Sequence, residues 1–272
     1  DKIPELASSR TTASVPIGGK YRIIDFDLSN MSNSGISNVG IVAKSNFQSL
    51  MDHVGSGSAY DLSKRRSNLS ILPPYDGKAF SSFVETIYNM HGYIEHCREE
   101  YVLISQGNVI TNIDYTDVFD FHSKKKADIT LIYKNHAIPQ GYDRPITLDV
   151  DNDGKVNQIF VKPGVVDKEV FNHAYGSILI KKDLLMSEIR NAISVNQLDV
   201  RRLIQSSLGK YSIYAYENKG YCAAISSIND YFEFNMDLMK KEVRDELFNP
   251  QRPIYTKVRD DAPSRYGLTS NV

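Results

Sequence analysis

The chain has 272 residues, of which 41% are hydrophobic and 24% charged, with a formal net charge of −1. That is enough for one large domain or two modest ones with a sizeable core, and the near-neutral balance lacks the basic excess that nucleic-acid binding requires. No apolar run approaches the ~18 residues of a membrane span, no signal peptide is visible, and the two cysteines, Cys97 and Cys222, read as free thiols of a reducing cytoplasm rather than a disulfide framework.

The chain opens at Asp1 and stops at "GLTSNV", which reads as a piece of a longer protein. A helical stretch is expected from about Asp25 to Asn33, stopped by Gly35, then a strand over Val39 to Val42. "NFQSLMDHVG" reads as a short amphipathic helix with Asn46 as its cap and Gly55 as its stop. Residues 56–78, rich in Ser, Gly and Pro, read as a long loop, and the basic "SKRRS" at Lys64 to Arg66 as its solvated tip or an anion contact. One helix is expected from Phe80 to Glu99. "DYTDVFDFHSKKKAD" gives another, with Asp114 at its N-cap, and "ITLIY" the next strand. "ITLDVDNDGKVNQIFV" reads as a β-hairpin turning at Asp153-Gly154. Its "DVDNDG" matches the first half of a calcium loop, but Phe160 stands where a bidentate Glu is needed. "AYGSILI" is a strand and Lys182 to Ile193 a helix. "YSIYAYENKGYCAAI" supplies two more strands, and Ser227 to Leu247 a helix. Strands alternating with helices predict an α/β fold with a mostly parallel, doubly wound sheet. From Asn249 on there are three prolines and few periodic apolar positions, which places a boundary near 248: a domain over 1–248 and a linker into a further domain over 249–272.

In such sheets ligands gather at the carboxyl ends of the strands. "YVLISQGNVITNIDY", residues 101–115, is a buried strand running into a glycine turn, and the residue after that glycine is Asn108. An aspartate there would suit a hard cation such as Mg²⁺; the chain carries an amide.

"VPIGGKYRIIDFDLSNMSNSGISNVGIVAK", Val15 to Lys44, resembles the sugar-nucleotide pyrophosphorylases, in particular glucose-1-phosphate adenylyltransferases, with their G-G-K-[FY]-R-I-I-D-F-x-L-S-N stretch over Gly18 to Asn30. "GNVITNIDY" is similar to that family's G-D-H-I-Y-x-x-D-Y, "INDYFEFNMDL" to its I-D-S-Y-W-x-A-N-M-D-L, and "FNPQRPIYT" to the Y-D-x-x-W-P-I-R-T that leads into a C-terminal left-handed parallel β-helix. The resemblance implies a Rossmann-like nucleotidyltransferase domain whose first strand and Gly-rich loop would precede Asp1. It also implies a reaction that joins ATP and glucose 1-phosphate into ADP-glucose and pyrophosphate, through positioning and Mg²⁺ charge stabilisation.

Against that pattern the sequence departs at the chemistry. The family's two metal-holding aspartates fall on Asn108 and Ala224, with Ala223 at the preceding arginine. Its R-x-K-P lysine falls on Thr12, leaving Arg10; the glutamine of T-Q-Y falls on Lys44; the G-T-A element falls on Ser82 to Val84, where Phe83 would fill nucleotide space. The E-K-P glutamate falls on Val161, with Lys162 and Pro163 kept. Scaffold positions Gly18, Gly19, Arg22, Asp25 and Asn30 match. The resemblance is therefore to the non-catalytic, D-type regulatory subunit of bacterial glycogen biosynthesis. Asn108, Ala224 and Thr12 are its degenerate positions, and Lys162, Arg10 and Lys44 its phosphate-binding candidates.

Such a cytoplasmic subunit would bind no metal itself, Mg²⁺ residing with the catalytic ADP-glucose pyrophosphorylase subunit. The two would form a hetero-oligomer, a tetramer, answering to a sugar-phosphate effector, with no nucleic acid or membrane involved. Two alternatives stand beside it. One is an active enzyme with displaced metal ligands, Asp114 and Asp230; the other is a lone sugar-phosphate sensor using Lys162 and Arg10.

Overall fold

The computed structural model describes residues 3–43, 45–63, 68–72, 82–137, 145–161 and 170–258. Helix α1 (Pro4–Ala7) and a 3-10 turn (Thr12–Ser14) lead into a hairpin of β1 (Pro16–Ile17) and β2 (Tyr21–Arg22). Gly18 and Gly19 make its turn at φ +54° and +81°, a region that suits glycine. Helix α2 (Ile23–Asn33) follows at once. Asp25 closes its N-terminus by accepting the Arg22 backbone N–H on Oδ2 at 2.9 Å.

Strand β3 (Asn38–Val42) is followed by α3 (Gln48–Val54) and a 3-10 turn (Ser58–Tyr60). Asn46 is not the cap of α3: Phe47 holds that position, while Asn46 sits in the left-handed region and its amide donates to Ser8 O. Nor is 56–78 a loop throughout, since β4 (Asn68–Leu72) pairs in parallel with β3 along all five residues. The strand is made by that non-local pairing, which the local Ser- and Pro-rich composition masks.

The helix expected over 80–99 is two, α4 (Phe83–Asn89) and α5 (His91–His96), broken at Met90, whose N–H is shared between Thr86 O and Ile87 O. Strands β5 (Tyr101–Ile104) and β6 (Val109–Thr111) precede α6 (Tyr115–Lys125), capped as expected by Asp114. After β7 (Ile129–Ala137) comes the hairpin of β8 (Ile146–Val150) and β9 (Val156–Val161), with Gly154 at φ +86°. The long β10 (Val170–Lys181) and α7 (Lys182–Ser194) are followed by α8 (Val200–Ser206), which the sequence did not announce. Then come β11 (Ile213–Glu217), β12 (Cys222–Ala224), α9 (Ile228–Asp237) and α10 (Lys241–Leu247). The single helix expected over 227–247 is two, and between them the Arg244 guanidinium donates to the carbonyls of Leu238 and Met239.

The largest sheet runs β11-β7-β10-β8-β9, with β5 also on β10. Its pairs are mixed rather than mostly parallel: β11 and β7 are parallel, but β10 runs against β5, β7 and β8. A sequence pattern shows burial, not strand direction, and β10 is as apolar as its neighbours. One core packs α4, α5 and α7 on the sheet through residues such as Val84, Ile94, Ile104 and Ile189. A second joins Ile3, Ile17, Phe26, Ile110, Ile225 and Phe234.

Residues 249–258 lie on the domain. Ile254 is buried, the Tyr255 N–H donates to Ser29 Oγ at 2.8 Å, and Arg252 pairs with Asp114 at 2.5 Å. Residues 259–272, where the β-helix would begin, are outside the described residues.

Candidate functional site

β5 ends at Ile104, and Ser105 to Asn108 form the turn that carries the chain into β6, closed by the Val109 N–H on Gln106 O. Gly107 makes a close approach, since a Cβ there would stand 3.3 Å from that of Ala13. Asn108 is 9% exposed, and its Nδ2 donates to Ile225 O at 3.0 Å while the Ile225 N–H donates to Asn108 O at 2.8 Å. These bonds extend the antiparallel β6–β12 pair, in which Ala224 faces Val109 and Ala223 faces Ile110. The structure therefore brings Asn108 and Ala224 to adjoining rungs of one ladder.

The pair offers one neutral amide oxygen and a methyl group. Two carboxylates in that place would hold a divalent cation, but this donor set does not fit Mg²⁺. The alternative ligands are committed elsewhere. Asp114 accepts the Thr116 N–H at 2.8 Å and pairs with Arg252. Asp230 accepts the Ser226 N–H at 2.9 Å while its own N–H is capped by Ser227 Oγ.

Thr12, Asn108 and Phe83 all line one cavity of about 1090 Å³ that runs between β3 and β5. Thr12 is buried in its 3-10 turn, and Phe83 opens α4, packing on the main core, so the bulk expected at that position is present. Arg10, half-buried, is not among the cavity's lining residues. Lys44 and Lys162 lie outside the described residues.

The matching scaffold positions are used for architecture. Asn30 Nδ2 donates to Thr111 O at 2.9 Å and its Oδ1 accepts the Ile113 N–H, stitching α2 to the strand beyond Asn108. Arg22 Nη1 donates to Ser49 O and Oγ. Asp25, fully buried, accepts from Tyr60 Oη at 2.5 Å and sits 2.6 Å from His53 Nε2.

Three features escaped the sequence reading. Asp27, at the variable position of the D-F-x-L-S-N motif, is buried; desolvation pushes its carboxyl up to about 7 against the opposing hydrogen bonds of Ser105 and Tyr115. His136, His173 and Tyr175 cluster at the β10 bulge, with Tyr175 Oη 2.7 Å from His136 Nε2. Burial, reinforced by Lys134, lowers the His136 pKa. Tyr175 also reaches Cys222, whose thiol burial drives up to about 12. Only the odd acidic residue inside an otherwise matching motif could have flagged Asp27.

The family of nucleotidyl transferases matches residues 2–241. A glucose-1-phosphate adenylyltransferase of Clostridium acetobutylicum is 34% identical over 270 residues, 95% of this chain and 70% of that protein. Glycogen biosynthesis protein GlgD of Geobacillus stearothermophilus is 34% identical over 282 residues, all of this chain and 70% of that protein. A solved Bacillus anthracis structure described as a glucose-1-phosphate thymidylyltransferase superposes with a TM-score of 0.70, over 92% of this chain and 93% of that one, at 14% identity. The chain belongs to the nucleotidyl transferase family and carries its α/β fold.

Proposed function

We propose that this nucleotidyl transferase family member is a catalytically degenerate, regulatory subunit of glycogen biosynthesis. It assembles with a catalytic ADP-glucose pyrophosphorylase subunit into a hetero-oligomer and shifts that subunit's affinity for substrates or for a sugar-phosphate effector. The observation that carries the reading is at Asn108, whose amide is spent on Ile225 O, beside a methyl group at Ala224. Relatives named both as adenylyltransferase and as glycogen biosynthesis protein support the setting. An intact scaffold with two carboxylates missing is what remains useful when chemistry has moved to a partner. By linkage, whatever the subunit does to its partner's ligands, those ligands do in return to its own.

The test is ADP-glucose formation from ATP, glucose 1-phosphate and Mg²⁺, with the full-length protein alone and then titrated into its catalytic partner. Silence alone with an altered rate or apparent affinity in the mixture supports a regulatory subunit. Turnover alone at the rate of a catalytic subunit sinks it and favours displaced metal ligands. A silent protein that leaves the partner's kinetics untouched and stays apart from it in light scattering favours the lone sensor.

A further inference from the structure

The rungs of β10 with β7 stop at Ala174 and resume at Ile178; those with β8 end at Ala174, and those with β5 begin at Ile178. Residues 175–177 therefore make no rung among the described strands, and side chains must hold them. Gly176, at φ +85°, lies under the side chain of Gln106, two residues before Asn108. Tyr175, buried next to it, puts its Oη 2.7 Å from His136 Nε2. That nitrogen is also 3.2 Å from Nδ1 of His173, and the two imidazole centres are 5.5 Å apart with 20° between their planes. This separation is the largest that a 3.2 Å gap and the radii of both rings permit, so the N···N line runs through both centres. The imidazoles meet end to end and nearly coplanar. Their nitrogens point straight at each other, and the gap holds one hydrogen. Two imidazoles on one tetrahedral metal would converge at an angle instead.

His173 is 2% exposed. Lys134 stands opposite it on β7, its ammonium fixed by the carbonyls of Lys219 and Gly220 at 2.7 and 2.6 Å. β8 places the neutral Thr147 opposite His173, and β12 brings Cys222 to Tyr175, with Asp27 of α2 beyond it. Burial, and then the Lys134 cation, lower the His136 pKa.

We propose that His136 and His173 form an acid-sensitive latch, which through Tyr175 holds the β10 bulge against the turn that carries Asn108 and lets it go when the pair takes up a second proton. In the neutral pair one ring donates across the gap and the other accepts. A first added proton goes to a ring nitrogen outside the gap and leaves that bond standing. A second finds only the nitrogen inside the gap, so N–H would face N–H, with two buried imidazolium charges beside Lys134. One ring must then swing away. Tyr175 loses its hold on His136, and a bulge without rungs is freed from Gln106. Because the folded pair takes up protons less readily than unfolded histidines, its contribution to stability is full above about pH 6.5 and is lost as pH falls. The latch couples proton concentration to the Asn108 turn whether or not that turn serves catalysis.

The test is an NMR titration of the full-length protein, carrying isotope-labelled histidine and glycine, from about pH 8 down to the onset of acid unfolding. His136 and His173 are expected to take up protons in two steps at least about one pH unit apart. The Gly107 and Gly176 amide signals should move with the lower step. Tyr175→Phe keeps the ring and removes the hydroxyl, so both steps should survive while the glycine response disappears. His173→Asn leaves one imidazole, which should titrate in a single step with no glycine response. The proposal is overturned if the two histidines of the parent titrate together in one step, or if Gly107 and Gly176 ignore the lower step. A glycine response that persists in Tyr175→Phe overturns it as well, and so do histidines that stay neutral until the whole protein unfolds.

Discussion

Asn108 and Ile225 hold each other through two hydrogen bonds, the Asn108 amide on Ile225 O at 3.0 Å and the Ile225 N–H on Asn108 O at 2.8 Å. Asn108→Asp therefore does not simply restore a ligand. It replaces the donor with a carboxylate facing a buried carbonyl, and is expected to cost about 1–3 kcal/mol in denaturant unfolding. Adding Ala224→Asp gives two carboxylates on adjoining rungs, and Mg²⁺ should then raise the Tm of the double variant while leaving the parent unmoved. A double variant indifferent to Mg²⁺ would show that the ladder no longer has the metal site's geometry.

Asp27 makes the fold sensitive to neutral pH. Its carboxyl titrates near 3.8 when unfolded and at about 7 when folded, because burial disfavours the charge. Between those values the folded state binds the extra proton, so this group's contribution is full below about pH 4 and is lost as pH rises toward 7. The slope is at most about 1.4 kcal/mol per pH unit. Asp27→Asn should flatten the profile of unfolding free energy over that window and stabilise the protein at pH 7.5 relative to pH 4. An unchanged profile would place the carboxyl in contact with water.

Tyr60 is fully buried and donates to the equally buried Asp25. Tyr60→Phe keeps the ring and removes the donor, with an expected loss of about 1–3 kcal/mol measured by chemical denaturation. An equal loss from Ser49→Ala, whose hydroxyl accepts from Arg22 in the same network, would argue against the buried bond as the cause.

Gly176 sits at φ +85° in the β10 bulge, under the Gln106 side chain. Gly176→Ala is expected to destabilise by about 1–2 kcal/mol, the cost of a Cβ in left-handed backbone. Gln106→Ala in the same background removes the crowding and leaves that strain, so it should recover little of the loss.

Arg252 ties residues 249–258 to the domain through Asp114 and through Ile113 O at 2.7 Å. Burial alone would raise the Asp114 pKa, but the Thr116 N–H and Arg252 hold it below the usual carboxylate value. Its contribution is thus present above about pH 4 and lost as pH falls through the folded value. Arg252→Ala should release this segment to limited proteolysis at neutral pH while the Tm of the domain falls by a few degrees at most. Unchanged protease resistance would mean that Ile254 and Tyr255 hold the segment unaided.

Residues that act locally were readable in advance. The Asp114 cap, the Gly154 hairpin, the Gly55 stop and the β5 run each follow from what a residue does to its own few neighbours in sequence. The motif over Gly18 to Asn30 likewise announced the fold by resemblance. β4 was not readable, because a pairing with β3, about 30 residues away in sequence, makes it a strand.

By itself, then, the sequence determined which elements have an apolar face and where short-range capping ends them. The tertiary structure alone decided that β10 runs antiparallel and that Asn108 spends its amide on a backbone carbonyl 117 residues away. Strand direction, hydrogen-bond partner and the ionisation of a buried carboxyl such as Asp27 depend on what packs alongside. That is a property of the folded neighbourhood, on which periodicity and composition are silent.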